Sequence, residues 1–298
     1  MSASANGQDI IKFQPSSKLW TLAAISNSFL FQMNINKNQS IALFVGAGAV
    51  KNAWRPIINA VQPPYFKEEL TTEGANSGLA RLVYMLRWFS NNPGDGLDKC
   101  KQILESAKLR ICEEIKTAQQ KNEIFIRDEF SKIINQIIIS DCNRLMIVST
   151  NWDTIVEDAV NSTPAIQSRF NKIFAAHIHG VYLDSQNIYL PTEVVEEPYR
   201  ADNERKFLGG MHAAVMQAMT FAQTIFIYGL SISPLDAELT QIIAACCDHP
   251  NIKAIKIVDP NHKAVAEKIN LLIKYPTKIT VEGYDPNDLD TCYDYSLQ

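Results

Sequence analysis

The chain has 298 residues, 46% hydrophobic and 20% charged, which excludes disordered and fibrous classes. A chain of this length is expected to bury roughly three quarters of the surface its unfolded form exposes. Lys and Arg number 28 against 32 Asp and Glu, a net charge of −4 without the basic excess that phosphate backbones attract, so nucleic acid is expected only through a partner. No apolar run approaches the roughly 20 residues of a spanning helix. Residues 1–9 lack the basic stretch and apolar core of a signal peptide, which makes the cytoplasm the expected compartment. Six cysteines without a Cys-x-x-Cys pair predict reduced, mostly buried thiols and no structural zinc.

In chain order, residues 17–34 predict an amphipathic helix with Leu19, Leu22, Ala23 and Phe29 on its apolar face. The first β-rich run is 41–45, followed by 145–149, 173–178, 225–228 and 252–258, with a shorter one at 279–281. Continuous rather than alternating apolar runs suit parallel strands covered on both faces, so the fold class is α/β, a Rossmann-like doubly wound parallel sheet. Between the first two runs the periodicity turns helical. Leu79, Leu82, Val83 and Leu86 form one stripe, and Leu97, Leu104, Ile111 and Ile115 a second. Ile126, Phe130, Ile133, Ile134, Ile137 and Ile138 form a third. We read residues 1–298 as a single domain with a helical insertion at 62–142. The acidic tail with Asp285, Asp288, Asp290 and Asp294 reads as a solvated, frayed end, with a contact surface as the other reading.

Chemistry-bearing residues gather where the apolar runs stop. Gly46-Ala47-Gly48 follows the first run, and glycines there let backbone N–H groups approach a pyrophosphate at the start of a helix; a plain tight turn is the alternative. Thr150-Asn151-Trp152-Asp153 follows the second, placing an amide and a carboxylate at a strand end, where both residue types also cap helices. His177-Ile178-His179-Gly180 closes the third, and two-residue spacing puts both imidazoles on one face of a strand, as a metal pair or as one catalytic histidine beside a structural one. Gly229-Leu230-Ser231-Ile232-Ser233 follows the fourth, with hydroxyls suited to phosphate, ribose or a helix N-cap. Asp259 ends the fifth, as a ribose contact or a turn residue.

Taken in order, Gly46-Ala-Gly48, Thr150-Asn-Trp-Asp153, His179-Gly180 and Gly229-Leu-Ser231 resemble the sirtuin (silent information regulator) superfamily. The Thr-Asn-aromatic-Asp form with Glu157 following, and the helical insertion, are similar to the bacterial sirtuin-like NAD-hydrolysing effectors of antiphage defence. The resemblance implies NAD as substrate, with Gly46, Ala47 and Gly48 at the pyrophosphate and Ser231 at the phosphate or ribose. Thr150, Gly229 and Asp259 complete the implied binding set. Asn151 matches the asparagine that positions the nicotinamide ribose or the attacking water. His179 matches the base, and Asp153 supports both. Val50 stands where the family turn carries a serine, and Trp54-Arg55-Pro56 stands at its Gly-hydrophobic-Pro segment.

The absent zinc ribbon moves the implied activity from NAD-dependent deacylation to NAD glycohydrolysis, yielding nicotinamide and ADP-ribose and depleting cellular NAD. An assembly subunit that binds NAD or ADP-ribose with little activity of its own is the alternative. A chain ending soon after its sheet carries no obvious sensor domain, so control is expected from homo-oligomerisation or from a HerA-type hexameric ATPase.

Overall fold

The computed structural model describes residues 39–65, 71–92, 96–139, 142–170, 172–275 and 278–297, so the predicted helix at 17–34 lies outside it. The sheet begins with β1 (Gln39–Val45), whose residues 41–45 are fully buried. It continues with β4 (Cys142–Ser149), β5 (Ala175–His177), β6 (Thr224–Tyr228), β7 (Ala254–Val258), β8 (Thr280–Asp285) and β9 (Asp288–Asp294). β2 (Val50–Lys51) and β3 (Phe125–Ile126) form a separate antiparallel pair.

The seven-stranded sheet runs β5-β4-β1-β6-β7-β8-β9, parallel throughout except for the last pair. Counting its six parallel strands in chain order gives 3-2-1-4-5-6, the doubly wound order whose halves part beside the first strand. The fold is therefore α/β and Rossmann-like, as the continuous apolar runs predict. Two-sided cover explains those runs, since helices α5 (Ile155–Asn161), α6 (Pro164–Arg169), α7 (Asp202–Met219), α8 (Ala237–Cys247) and α9 (His262–Leu272) occupy the crossovers.

Between β2 and β4 lie α1 (Arg55–Tyr65), α2 (Thr72–Asn91), α3 (Gly96–Gln120) and α4 (Phe130–Ile139). Their buried faces carry Leu79, Val83 and Leu86, then Leu104, Ile111 and Ile115, then Phe130, Ile133, Ile134 and Ile137. Ile126 leaves the third predicted stripe: it pairs with Val50 across β2 and β3, and α4 starts only at Phe130. Two-residue strands are too short to show a period. The same pairing accounts for Val50, a buried ladder residue.

The acidic tail is not frayed. Asp285 accepts from the Asn287 N–H at 2.8 Å, turning the chain so that β9 pairs antiparallel with β8, with Leu289 buried and Tyr293 stacked on His262 at 4.8 Å. Five cysteines are buried and Cys292 is exposed. Among the described residues no helix is long and apolar enough to cross a membrane.

Candidate functional site

The loops leaving β1, β4, β6 and β7 close around one cavity of about 420 Å³ at the carboxyl ends of the strands, where open α/β sheets take ligands. Neighbouring loops are laced by backbone bonds. Gly46 N–H donates to the Tyr228 carbonyl (3.0 Å), Gly48 N–H to that of Gly229 (2.9 Å), and Gly229 N–H to that of Val258 (3.1 Å). A Cβ on Gly46 would lie 2.5 Å from the Gly229 carbonyl oxygen, and one on Gly229, at φ +59°, would lie 2.3 Å from the Ala49 nitrogen. Close backbone approach thus requires these glycines.

That geometry corrects two expectations. Gly46 lies behind the cavity rather than on it, because its N–H and its missing Cβ both serve the contact with β6. No helix begins at the glycines either: a single 3-10 turn over Ala47–Ala49 leads into β2, and α1 starts at Arg55. Ala47, Gly48, Gly229 and Ser231 do line the cavity. We expect Gly229→Ala to lose about 2–3 kcal/mol from backbone strain and overlap, read as a lowered midpoint of thermal unfolding.

Thr150, Asn151 and Asp153 form the wall contributed by β4. Asn151 is fixed through its backbone: its N–H donates to Ser149 Oγ at 3.1 Å and its carbonyl meets His177 Nδ1 at 2.9 Å. Its side chain is different. The residue is 6% exposed, yet neither Oδ1 nor Nδ2 has a protein partner. Native proteins pair the large majority of buried polar atoms, so an unpaired buried amide on a cavity wall points to a ligand.

Neither Asn151 nor Asp153 is the N-cap of α5, which is Thr154; Asp153 stands one residue ahead of it, its Oδ1 accepting from the Ile155 N–H at 3.0 Å where α5 begins. Burial pushes its carboxyl up to about 6, against the partial relief of that hydrogen bond and of His177. A folded-state pKa above the unfolded one favours folding at low pH, and that contribution disappears as pH rises through about 6. Asn in its place keeps an acceptor for Ile155 and removes the buried charge. Asp153→Asn should therefore exceed wild type by about 2 kcal/mol at pH 8, with the gap closing towards pH 4, in denaturant titrations at both pH values.

The two histidines do not share a face. β5 ends at His177, and the chain turns through Gly180 at φ +78°. His177 Nε2 turns to Glu157 at 3.4 Å, a structural contact on the α5 side. His179 faces the cavity, with Nδ1 3.3 Å from the Thr150 carbonyl and Nε2 3.0 Å from Asp236 Oδ2. Burial alone would lower its pKa, but the Asp236 charge and hydrogen bond and the Thr150 carbonyl hold it above the ordinary imidazole value. Asp236, not either serine, caps α8: its Oδ1 accepts from Leu239 N–H at 3.1 Å, while Ser233 Oγ accepts from Leu235 N–H at 3.2 Å. Asp259 is both turn residue and cavity residue, its Oδ1 accepting from Asn261 N–H at 2.8 Å.

Sequence reasoning missed the opposite wall. Tyr189 stacks on His179 with ring centroids 5.3 Å apart and donates to the Glu238 carboxylate. Glu193 also lines the cavity but is neutralised from behind by Lys108 on α3 at 3.1 Å and Arg200 at 3.1 Å. The Arg200 approach is a charge contact, not an aligned hydrogen bond. Arg87 on α2 grips the Glu197 carboxylate and the Thr192 carbonyl, so the helical module holds this irregular loop in place. Asn76 and Ile115 from the same module, with Trp54 just ahead of α1, also line the cavity.

Among the described residues no group of three or more His, Cys, Asp or Glu side chains is placed to hold a metal ion. Neither a protein-family model nor a curated protein matches the chain.

Proposed function

We propose that the cavity binds NAD and that the chain is an NAD glycohydrolase. The observation that carries this reading is the buried, unpartnered Asn151 amide on the same wall as His179, at the strand ends where the sirtuin-like motifs fall. In the reaction the ribose–nicotinamide C–N bond breaks as the oxygen of water bonds to the ribose carbon, giving nicotinamide, ADP-ribose and a proton. Positive charge develops on the ribose in between. The Asn151 amide oxygen is an oriented acceptor for a ribose hydroxyl or the attacking water, Asp153 supplies nearby negative charge, and His179 is the base. Ala47, Gly48, Thr150, Gly229, Ser231 and Asp259 form the remaining wall available to phosphates and riboses.

Nicotinamide release from NAD by the full chain, beside Asn151→Ala and His179→Ala, tests the assignment. Wild-type rates in either variant would sink it. Depletion of cellular NAD in phage infection is the role this chemistry serves, under control by self-association or by a HerA-type ATPase. The assay is therefore run alone and with that ATPase.

One observation favours a second reading. Both His179 nitrogens are occupied within the protein, as suits a subunit that binds NAD or ADP-ribose without turnover. Tight binding by calorimetry with no nicotinamide released in any combination would establish it.

A further inference from the structure

We propose that Asp236 is a positioning residue for His179, holding the proton on Nε2 and leaving Nδ1 as the nitrogen that takes and returns the proton. The inference rests on the hydrolase reading for its kinetic consequence only. Its basis is geometric. A neutral imidazole has one N–H and one bare nitrogen, yet both His179 nitrogens face oxygens that bring no proton, a carboxylate and a peptide carbonyl. The two contacts are unequal. The Asp236 contact, at 3.0 Å, is charge-assisted, whereas the Thr150 carbonyl stands at 3.3 Å on the wall that also carries Asn151. When the ring gives up one proton, the one facing the carboxylate is retained and the one on Nδ1 leaves.

Asp236 is itself immobilised. Its second oxygen caps α8, and the pair's side chains are only 14% and 20% exposed. The charged and titratable groups around the ring come from three elements. Asp236 and Glu238 lie at the start of α8, His212 lies on α7 with Nδ1 3.7 Å from Glu238, and Tyr189 stacks on the imidazole from the loop after β5. Glu238 already accepts from Tyr189 and from the Val195 N–H at 3.0 Å, and His212 Nε2 meets the Ile178 carbonyl at 3.1 Å. Asp236 is thus the only carboxylate among them in direct contact with His179 among the described residues. The arrangement follows the logic of an acid–base histidine oriented by a carboxylate, reached here through the cap of a helix.

The test is a pH titration of the imidazole nitrogens by NMR on the full ¹⁵N-labelled chain, wild type against Asp236→Asn, which keeps a capping oxygen for Leu239. In wild type, His179 should titrate above an ordinary histidine and its neutral form should carry the proton on Nε2. In the variant the midpoint should fall by about one pH unit or more, with the proton no longer confined to Nε2. For nicotinamide release, kcat should fall about tenfold or more while KM holds, and the rising limb of the pH–rate profile should move with the NMR midpoint. Asp236→Ser, another capping residue without charge, serves if the asparagine variant does not fold. An unchanged midpoint, or a wild-type neutral form protonated on Nδ1, overturns the proposal. The predicted titration without NAD hydrolysis by any protein leaves the pairing standing and removes the hydrolase reading instead.

Discussion

Asn151→Ala is expected to release nicotinamide about 100-fold more slowly than wild type, or slower still, while resisting denaturant as well as wild type or better. The two halves of this result have one cause. A buried amide with neither polar atom paired carries a desolvation penalty of about 1–3 kcal/mol, and alanine removes the penalty without breaking a side-chain hydrogen bond. The backbone contacts to Ser149 and His177 survive, because they use the Asn151 N–H and carbonyl. Nicotinamide release and a denaturation curve on the same preparation check both halves. A variant that lost activity only because it lost stability would show that the amide belongs to the fold and not to a ligand.

Glu193→Gln should lose about 3–5 kcal/mol at neutral pH, the largest stability change we expect from a single substitution in the site. Glu193 is 3% exposed and faces two cations, Lys108 and Arg200, besides accepting from Tyr199 Oη at 3.2 Å and from the Leu190 N–H at 2.6 Å. Burial would push its carboxyl up, but Lys108 and Arg200 outweigh burial and hold it below the usual carboxylate range. A depressed carboxylate stabilises the fold above its unfolded pKa and loses that contribution as pH falls through the folded value. The neutral glutamine keeps much of the shape, leaves Lys108 buried without its contacting carboxylate, and leaves Arg200 only the longer contact to Glu204 at 3.9 Å. Denaturant unfolding of wild type and variant at pH 7 and pH 4 measures the effect, and the gap should narrow at the lower pH. Equal stability at pH 7 would mean that water, not Glu193, compensates Lys108 and Arg200.

The central strands were readable because burial on both faces writes itself as uninterrupted Ile, Val, Leu and Phe. β1, β4 and β6 carry such runs, β7 is broken only by the half-buried Lys256, and the ends of the four located Gly48, Asn151, Ser231 and Asp259 on one cavity. β9 could not be read this way: at the sheet edge only Leu289 is buried, so the strand is mostly exposed, carries three Asp among seven residues and resembles a solvated tail. His177 and His179 separated because β5 ends at His177, two residues short of His179, and the chain then turns through the left-handed Gly180. Tyr189 and Glu193 lie in a loop without periodicity, and Glu193 is held by Lys108, about eighty residues earlier in the chain. Asp236 did leave a signal. It sits two residues before Glu238 and directly ahead of an apolar helical pattern, as an N-cap should.

The antiparallel turn that adds β9 also decides how the sheet terminates. An unpaired strand edge is a template on which a further strand can add. Here the outermost strand carries exposed Asp288, Asp290 and Asp294. A like strand docking alongside in antiparallel register would bring carboxylates close together, and at neutral pH that repulsion discourages fibrous stacking of copies through their sheets. Acidification through the carboxylate range would weaken this barrier.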